Sequence, residues 1–383
     1  MPTLSTRGPL DPGVLLTAIP ALLGFVPERS IIVIAFAADR SVSATMRHDL
    51  ALDTGGAPTP EFLAVLAGLG DITRSYGAEE AVAVVVDDRF PTDDARYRRV
   101  QAIADRHFAA VGGIAVGFGL AEFDCGAPWS VTWCPDGQAW AVHVPGERAG
   151  HLDDPQSCPT AISEAVRSGR RILPRRAEMR TMLEPLDGEC SAARPGPQCT
   201  DCPIAWVRTV RNPTPEFLDL DRTDLDRAGT SEHSESVVAM GAVMESVIGA
   251  GKQLDCGRVA LLEHAILRLD VRDAALALAV TDLRDRAELL WRELTRRLTG
   301  RGRASAATLL AHLHYIGGEG AYAGAALDVA LECDPHWKLA SLLDTALRAG
   351  VRPTMLWEMI DDSYAVAAEL GAHLPDATRR AAG

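Results

Sequence analysis

Lysine is almost absent. Only Lys252 and Lys338 occur in 383 residues, and every other basic side chain is an arginine. With alanine also abundant, this bias reads as the mark of a GC-rich bacterial genome rather than of a binding surface. Positive charge is outweighed as well: 38 basic against 52 acidic residues give a net charge of −14. Phosphate binding needs concentrated positive charge, so a general nucleic-acid or anionic-membrane binder is not expected. Long apolar runs are missing too. The longest, Ile31 to Ala38, falls far short of the ~20 residues a membrane helix needs. The apolar N-terminal segment is interrupted by Pro20, Pro27, Glu28 and Arg29, so no signal peptide is expected. Eight cysteines in a chain this long do not make a disulfide framework. These deficits together predict a cytoplasmic protein. Nor is there a phosphate-binding loop of the Gly-x-x-x-x-Gly-Lys type, a Gly-x-Ser-x-Gly elbow or a His-Glu-x-x-His helix.

What the chain has is an ordinary globular balance. Apolar residues are 47% and charged residues 23%, which excludes collagen-like, mucin-like and wholly disordered classes. At roughly 100–200 residues per domain, two or three domains follow.

The first half alternates strands and helices. Asp11-Pro12 is a helix start, because Asp accepts from first-turn amides and Pro loses no hydrogen bond at the first position. Gly24 is the stop, and Pro20 is expected to kink or split the helix. Ile31 to Ala37 reads as a buried strand. Val42 to Leu50 alternates apolar and polar residues as a half-buried one. The short link Ala38 to Ser41 makes these two a hairpin. Pro60 to Tyr76 and Thr92 to Ala110 read as helices. Ala81 to Val86 and Gly113 to Phe123 read as buried strands. This order predicts crossovers into a largely parallel sheet, with the early hairpin adding an antiparallel strand. Trp129 to Trp133 and Gln138 to His143, around Cys134-Pro135-Asp136-Gly137, read as a second hairpin. Ser157 to Ser168 and Arg175 to Leu183 read as helices.

The second half reads differently. Pro185 to Pro203 is rich in Pro, Gly and Cys, and Asn212 to His233 is polar and poorly periodic. From about Ser234 every segment looks helical, with breaks at Gly249 with Gly251, Gly300, Gly317-Gly318 and Gly350. The expected organisation is therefore a mixed, mostly parallel α/β domain over 1–184. A Pro/Cys-containing linker over 185–233 and an all-α helical domain over 234–383 follow it. Within the last, Leu310, Ala323, Leu327, Ala330 and Pro335 fall at the spacings of a tetratricopeptide repeat, whose small residues let two helices approach closely. His314 stands where an aromatic is usual and Ala311 where Gly is usual. With no second copy at that period, one repeat-like helical hairpin is the expectation.

Several motifs resemble a known family. Asp11-Pro12-Gly13-Val14-Leu15-Leu16 is followed by Pro20-Ala21-Leu22-Leu23-Gly24-Phe25-Val26-Pro27-Glu28-Arg29-Ser30. Arg47, Asp49 and Leu50 then form an Arg-x-Asp-Leu pattern. Trp129-Ser130 before the Cys-Pro pair, Leu173-Pro174-Arg175-Arg176, and Gly318-Glu319-Gly320 to Asp334-Pro335 complete the set. The chain resembles the actinobacterial family termed domain of unknown function 4192 over most of its length. Cys190 to Cys202 and the stretch after Cys134 depart from the family pattern. No activity, cofactor or partner comes with the resemblance.

Candidate sites remain to be read from the residues. Cys199-Thr200-Asp201-Cys202 has the spacing of half a structural zinc site, with Cys190 a third ligand and Cys158 or a histidine a fourth. The alternative is unpaired cysteines in a loop; no other cofactor is implied. Trp129 and Trp133 share a strand face by parity with Val131, and read either as a ligand platform or as packing. Asp87-Asp88 ends a buried strand, where ligands of parallel sheets gather; the bland role is capping the next helix. Arg47 and Asp49 share the polar parity of their strand and read as ligand groups or as a weak exposed ion pair, while His48 falls on the apolar parity. The glycines at 317–320 read as a turn rather than a phosphate cradle, since no strand precedes them.

The lead reading is a cytoplasmic binding protein, its helical domain engaging a protein partner and its α/β domain holding a small ligand. The alternative is an enzyme with an active site at the strand ends near Asp87, Asp88, Arg47 and Asp49. A purely structural protein is the third reading.

Overall fold

A computed structural model describes residues 9–135, 139–144, 146, 148–186, 228–252 and 254–378. The zinc-like residues Cys190, Cys199 and Cys202, the tip of the second expected hairpin and most of the expected linker lie outside the described residues. Contacts divide the chain into two units, Met1–Glu178 and Met179–Ala382.

In the first unit, helix α1 (Pro12–Leu23) starts on Asp11, whose carboxylate accepts from the Val14 amide at 3.2 Å. It stops at Gly24, which adopts the left-handed φ of 81° that costs glycine least. Pro20 does not split it: the helix is continuous, with Leu15, Leu16 and Ile19 before it fully buried and Ala21 after it buried too. Strands β1 (Ser30–Phe36) and β2 (Val42–Asp49) form the expected hairpin, and β3 (Glu80–Val86) and β4 (Ile114–Leu120) are the buried strands. Helices α2 (Pro60–Ser75) and α3 (Ala95–His107) connect them. Strands β5 (Pro128–Trp133) and β6 (Ala149–His151) complete a six-stranded sheet of order β2-β1-β3-β4-β5-β6.

The sheet is mixed but not mostly parallel. Only β3 and β4 are parallel neighbours; β1–β2, β1–β3, β4–β5 and β5–β6 are antiparallel. Both helical crossovers do join strands of one direction, β2 to β3 through α2 and β3 to β4 through α3. The hairpin, however, lays β1 between β2 and β3, so the first crossover skips a strand and leaves no parallel ladder. The partner of β5 is also Ala149–His151 rather than the segment around 138–143. Residues 139–144 instead run beside Leu10, with a parallel bridge between Leu10 and Val142.

Alternation along the strands builds two cores. Ile32, Ile34, Phe36, Val82, Val84 and Val86 face α1. Ile31, Val33, Ala81, Ala83 and Val85 face Phe62 and Leu66 of α2 and Tyr97 and Val100 of α3. A bulge opposite Gly117/Phe118 breaks this parity in β5, pairing Val131 with Phe118 but Trp133 with Gly117. Trp129 therefore packs edge-on against Phe118 in one core, with ring centroids 5.6 Å apart, while Trp133 belongs to the other. The two rings form no common platform. Helix α4 (Pro159–Ser168) is capped by the buried Cys158 thiol, 3.4 Å from the Ala161 amide. The short α5 (Ala177–Thr181) lies across the boundary of the two units.

The second unit is helical throughout its described residues. Helix α6 (Ala228–Ile248) begins before Ser234. It is followed by α7 (Cys256–Leu267), α8 (Leu269–Leu276), α9 (Arg284–Arg297), α10 (Gly300–Ile316), α11 (Gly320–Cys333), α12 (Lys338–Arg348), α13 (Pro353–Leu356) and α14 (Ile360–Glu369). Helix α10 is the centre, buried at every position from Ala304 to Ile316. A helix buried all round in this way must be enclosed by others. Three residues, Gly317 to Glu319, link it to α11, and Ala311, Ala323 and Ala330 are fully buried in the same core. Among the described residues no helix is long and apolar enough to cross a membrane.

Candidate functional site

One end of the sheet gathers the start of β1 and the ends of β2 and β3: Ser30 pairs with both Asp49 and Val86. The stretch Gly24 to Ser30 is clamped there. Leu173 donates to the Gly24 carbonyl at 3.0 Å and accepts from the Val26 amide at 2.9 Å, which brings Arg175 and Arg176 to the same place. The Leu50 amide donates to the Arg29 carbonyl at 2.8 Å. Arg29 is left-handed, with φ of 41°. A non-glycine residue in that region is uncommon and points to a local constraint.

Arg47 is the hub. Its guanidinium donates to Ser30 Oγ at 2.8 Å and to the Glu28 carbonyl at 3.3 Å, and pairs with Asp49 at 2.6 Å. Ser30 Oγ in turn donates to the Glu28 carbonyl. Phe25 lies 6.0 Å from the Arg47 guanidinium. Burial pulls the Arg47 pKa down; Asp49 opposes this and the like charge of Arg176 adds to it. His48, between Arg47 and Asp49, is exposed beside Phe62 rather than in the core, because the end of β2 extends past its cover.

The two aspartates after β3 diverge, as neighbours in extended backbone do. The Asp87 side chain is fully buried, and both its oxygens are held by the Arg89 guanidinium at 2.7 and 3.1 Å. Tyr97 Oη donates to the Asp87 carbonyl at 3.2 Å. Asp88 points outward and takes a two-pronged bond from Arg29 at 2.8 and 3.1 Å. That bond holds the Asp88 carboxyl below the usual carboxylate range. Arg175 pairs with Glu28 at 3.6 Å.

The sheet end thus brings together all four sequence candidates, Asp87, Asp88, Arg47 and Asp49. It adds Arg29, Arg89, Arg175 and Arg176, which residue reasoning left out. Their signal was present: three of the four sit inside the Glu28-Arg29-Ser30 and Leu173-Pro174-Arg175-Arg176 motifs. Chemically the arrangement is a rim of guanidinium forks, the geometry that binds planar or tetrahedral oxyanions. No group of three or more His, Cys, Asp or Glu side chains arranged for a metal occurs among the described residues.

The Gly318-Glu319-Gly320 motif lies elsewhere, in the helical unit. Glu319 Oε2 accepts from Arg284 at 2.8 Å and sits 2.7 Å from His314 Nδ1. Arg284 is 3% exposed and lies near Asp285 and Glu288. A side chain at Gly317 would meet Arg284 Nη2 at 2.6 Å, so any larger residue there must displace the guanidinium that holds Glu319. His312 is buried with no hydrogen-bond partner for Nε2 among the described residues, and burial drops its pKa to about 4.

These motifs are the ones by which the chain can be compared with known proteins. A family model described as "Domain of unknown function (DUF4192)" matches residues 12–354. The chain belongs to that family. The DUF4192 match starts at the first residue of α1 and covers the segments that meet at the sheet end as well as the Glu319 turn. No curated protein and no solved structure matches the chain.

Proposed function

We propose that this DUF4192 protein is a cytoplasmic binding protein. Its α/β unit holds a small ligand at the sheet end, and its helical unit engages a protein partner. The observation that supports this is the meeting of four separate segments at one sheet end, around side chains that recognise rather than react. Asp87, the buried carboxylate there, has both oxygens occupied by Arg89, so it is poorly placed as a general base. Asp88 and Asp49 are exposed and paired with arginine. That pattern favours binding over catalysis.

Partner binding is supported by the repeat-like hairpin of α10 and α11, whose buried alanines match the small positions of a tetratricopeptide repeat. Leu342, Met355 and Met359, on the helices that follow, are 68%, 52% and 44% exposed. The absence of a spaced cysteine framework in the sequence supports the cytoplasmic placement.

Native mass spectrometry of the full chain, purified gently from its own cells, tests both halves. A small organic excess mass and a protein-sized adduct, both lost on denaturation, are the expected result. A chain of bare mass overturns the reading.

A further inference from the structure

Five arginines, Arg29, Arg47, Arg89, Arg175 and Arg176, share the sheet end with four carboxylates, Glu28, Asp49, Asp87 and Asp88. The site therefore carries a positive excess in a chain whose net charge is −14. The excess has an address. Arg29, Arg89 and Arg175 each have an acid of their own: Asp88, Asp87 and Glu28. Arg176 is exposed and has no acidic partner among the described residues; its segment is bonded on both sides of Phe25, whose ring lies 6.0 Å from the Arg47 guanidinium, and its neighbour Arg175 pairs with Glu28, whose carbonyl Arg47 also holds. Arg47 itself is mostly buried, its side chain 18% exposed, and its only carboxylate, Asp49, is 74% exposed.

Two guanidinium groups held near each other, one of them desolvated, are an unfavourable arrangement unless something negative joins them. Leu173, three residues before Arg176, is bonded to the backbone on both sides of Phe25, so the segment leading to Arg176 is anchored at the sheet end. The left-handed backbone of Arg29 beside it is a second local constraint at the same spot.

We infer that the sheet end is an oxyanion site, in which Arg47 and Arg176 together bind the terminal phosphate or carboxylate of a small molecule. Arg47 supplies the fixed fork, oriented by Ser30 and the Glu28 carbonyl. Arg176 supplies the charge that is not already neutralised, and closes on the anion from the solvent side. The inference deepens the small-ligand reading above and rests on it.

Thermal unfolding of the full chain tests it, with inorganic phosphate and citrate as probes and sodium chloride at matched ionic strength as reference. At ten times the dissociation constant, a single site raises the melting temperature of a unit this size by about 3–6 °C. Arg176→Gln, an exposed change, should leave the melt in chloride unchanged and lower the apparent affinity for the probe about ten-fold or more. Arg47→Lys keeps the charge, loses the fork, and should weaken binding without abolishing it. Arg74→Gln, on an exposed α2 pair with Asp71, should change nothing. A response to phosphate but not citrate assigns a phosphoryl group, and the reverse assigns a carboxylate. Equal melts in phosphate, citrate and chloride, or an unaltered response in Arg176→Gln, overturn the inference. A small molecule found by native mass spectrometry alongside equal melts removes the oxyanion assignment alone. A bare mass removes the small-ligand reading beneath it.

Discussion

Two motif-borne charge clusters, the Glu319 turn of the helical unit and the sheet end of the α/β unit, set their arginines differently. In the helical unit Arg284 is sealed, 3% exposed, with Glu319 at 2.8 Å and the rest of its charged neighbours supplied by α9. In the α/β unit Arg29 and Arg175 lie 60% and 72% exposed on pairs that water already solvates. A buried ion pair is held by the fold and punishes removal of one member, whereas an exposed pair contributes little. Motif residues therefore serve different ends in the two units. Glu319 closes a turn, and Arg29 and Arg175 of the sheet end stay open to solvent.

The largest break in that comparison comes from Arg284→Ala. It removes the guanidinium from a nearly closed site, leaving Glu319 with the imidazole of His314 at 2.7 Å, and should cost about 3–5 kcal/mol by urea unfolding. A cost below ~1 kcal/mol, the range of exposed pairs, would show that the network is wet. Acid is the next probe. His312 has a folded pKa near 4 against an ordinary value of 6.5. A depressed value means that neutral His312 supports the fold above pH 6.5, and that this support is lost as pH falls towards 4. The loss by pH 4 should approach roughly 3 kcal/mol. His312→Leu should flatten the acid limb of the helical unit's unfolding curve.

The α/β unit should answer acid in the other direction at Glu80. Burial raises the pKa of this side chain, although it accepts bonds from the Trp140 and Ala141 amides. For a raised carboxyl the contribution is greatest at low pH and declines as pH rises through the folded value. Tracking the two units separately by hydrogen exchange between pH 4 and 7 would reveal opposite local slopes, or sink the contrast. Gly317→Ala comes third. A methyl 2.6 Å from Arg284 Nη2 should cost about 1–3 kcal/mol as overpacking, read as a lower urea midpoint. Smallest is Arg175→Gln, whose exposed pair with Glu28 should change stability by less than ~1 kcal/mol in the same assay.

Local signals were the legible part of this chain. Asp11-Pro12 and Gly24 bound α1 because capping is decided within a few residues. The strand alternations likewise mark their faces without reference to anything distant. Strand direction was not legible, because the insertion of β1 between β2 and β3 is a pairing choice made across fifty residues of chain. Trp133 was misplaced by one extra residue: a bulge inverts parity after it, and no residue type in Ser130-Val131-Thr132 announces one. At the site, Asp87 and Asp88 were visible as a strand end, but their separation into a buried and an exposed role depends on Arg89 and Arg29. Those partners gave no spacing signal. Arg29 meets Asp88 across fifty-nine positions, and only the motif around it hinted that it mattered.

The bond between Leu173 and the backbone flanking Phe25 also has a bearing on time. It joins the first helix of the α/β unit to one of its last segments, closing nearly the whole unit into a loop. A chain synthesised at about 5–20 residues per second exposes Arg29 and Arg47 many seconds before Arg176. Until Arg176 arrives, the two earlier arginines have half a site. On the oxyanion reading proposed above, a nascent chain has no complete site until this unit is finished, so occupancy of the sheet end would report that its folding had run to completion.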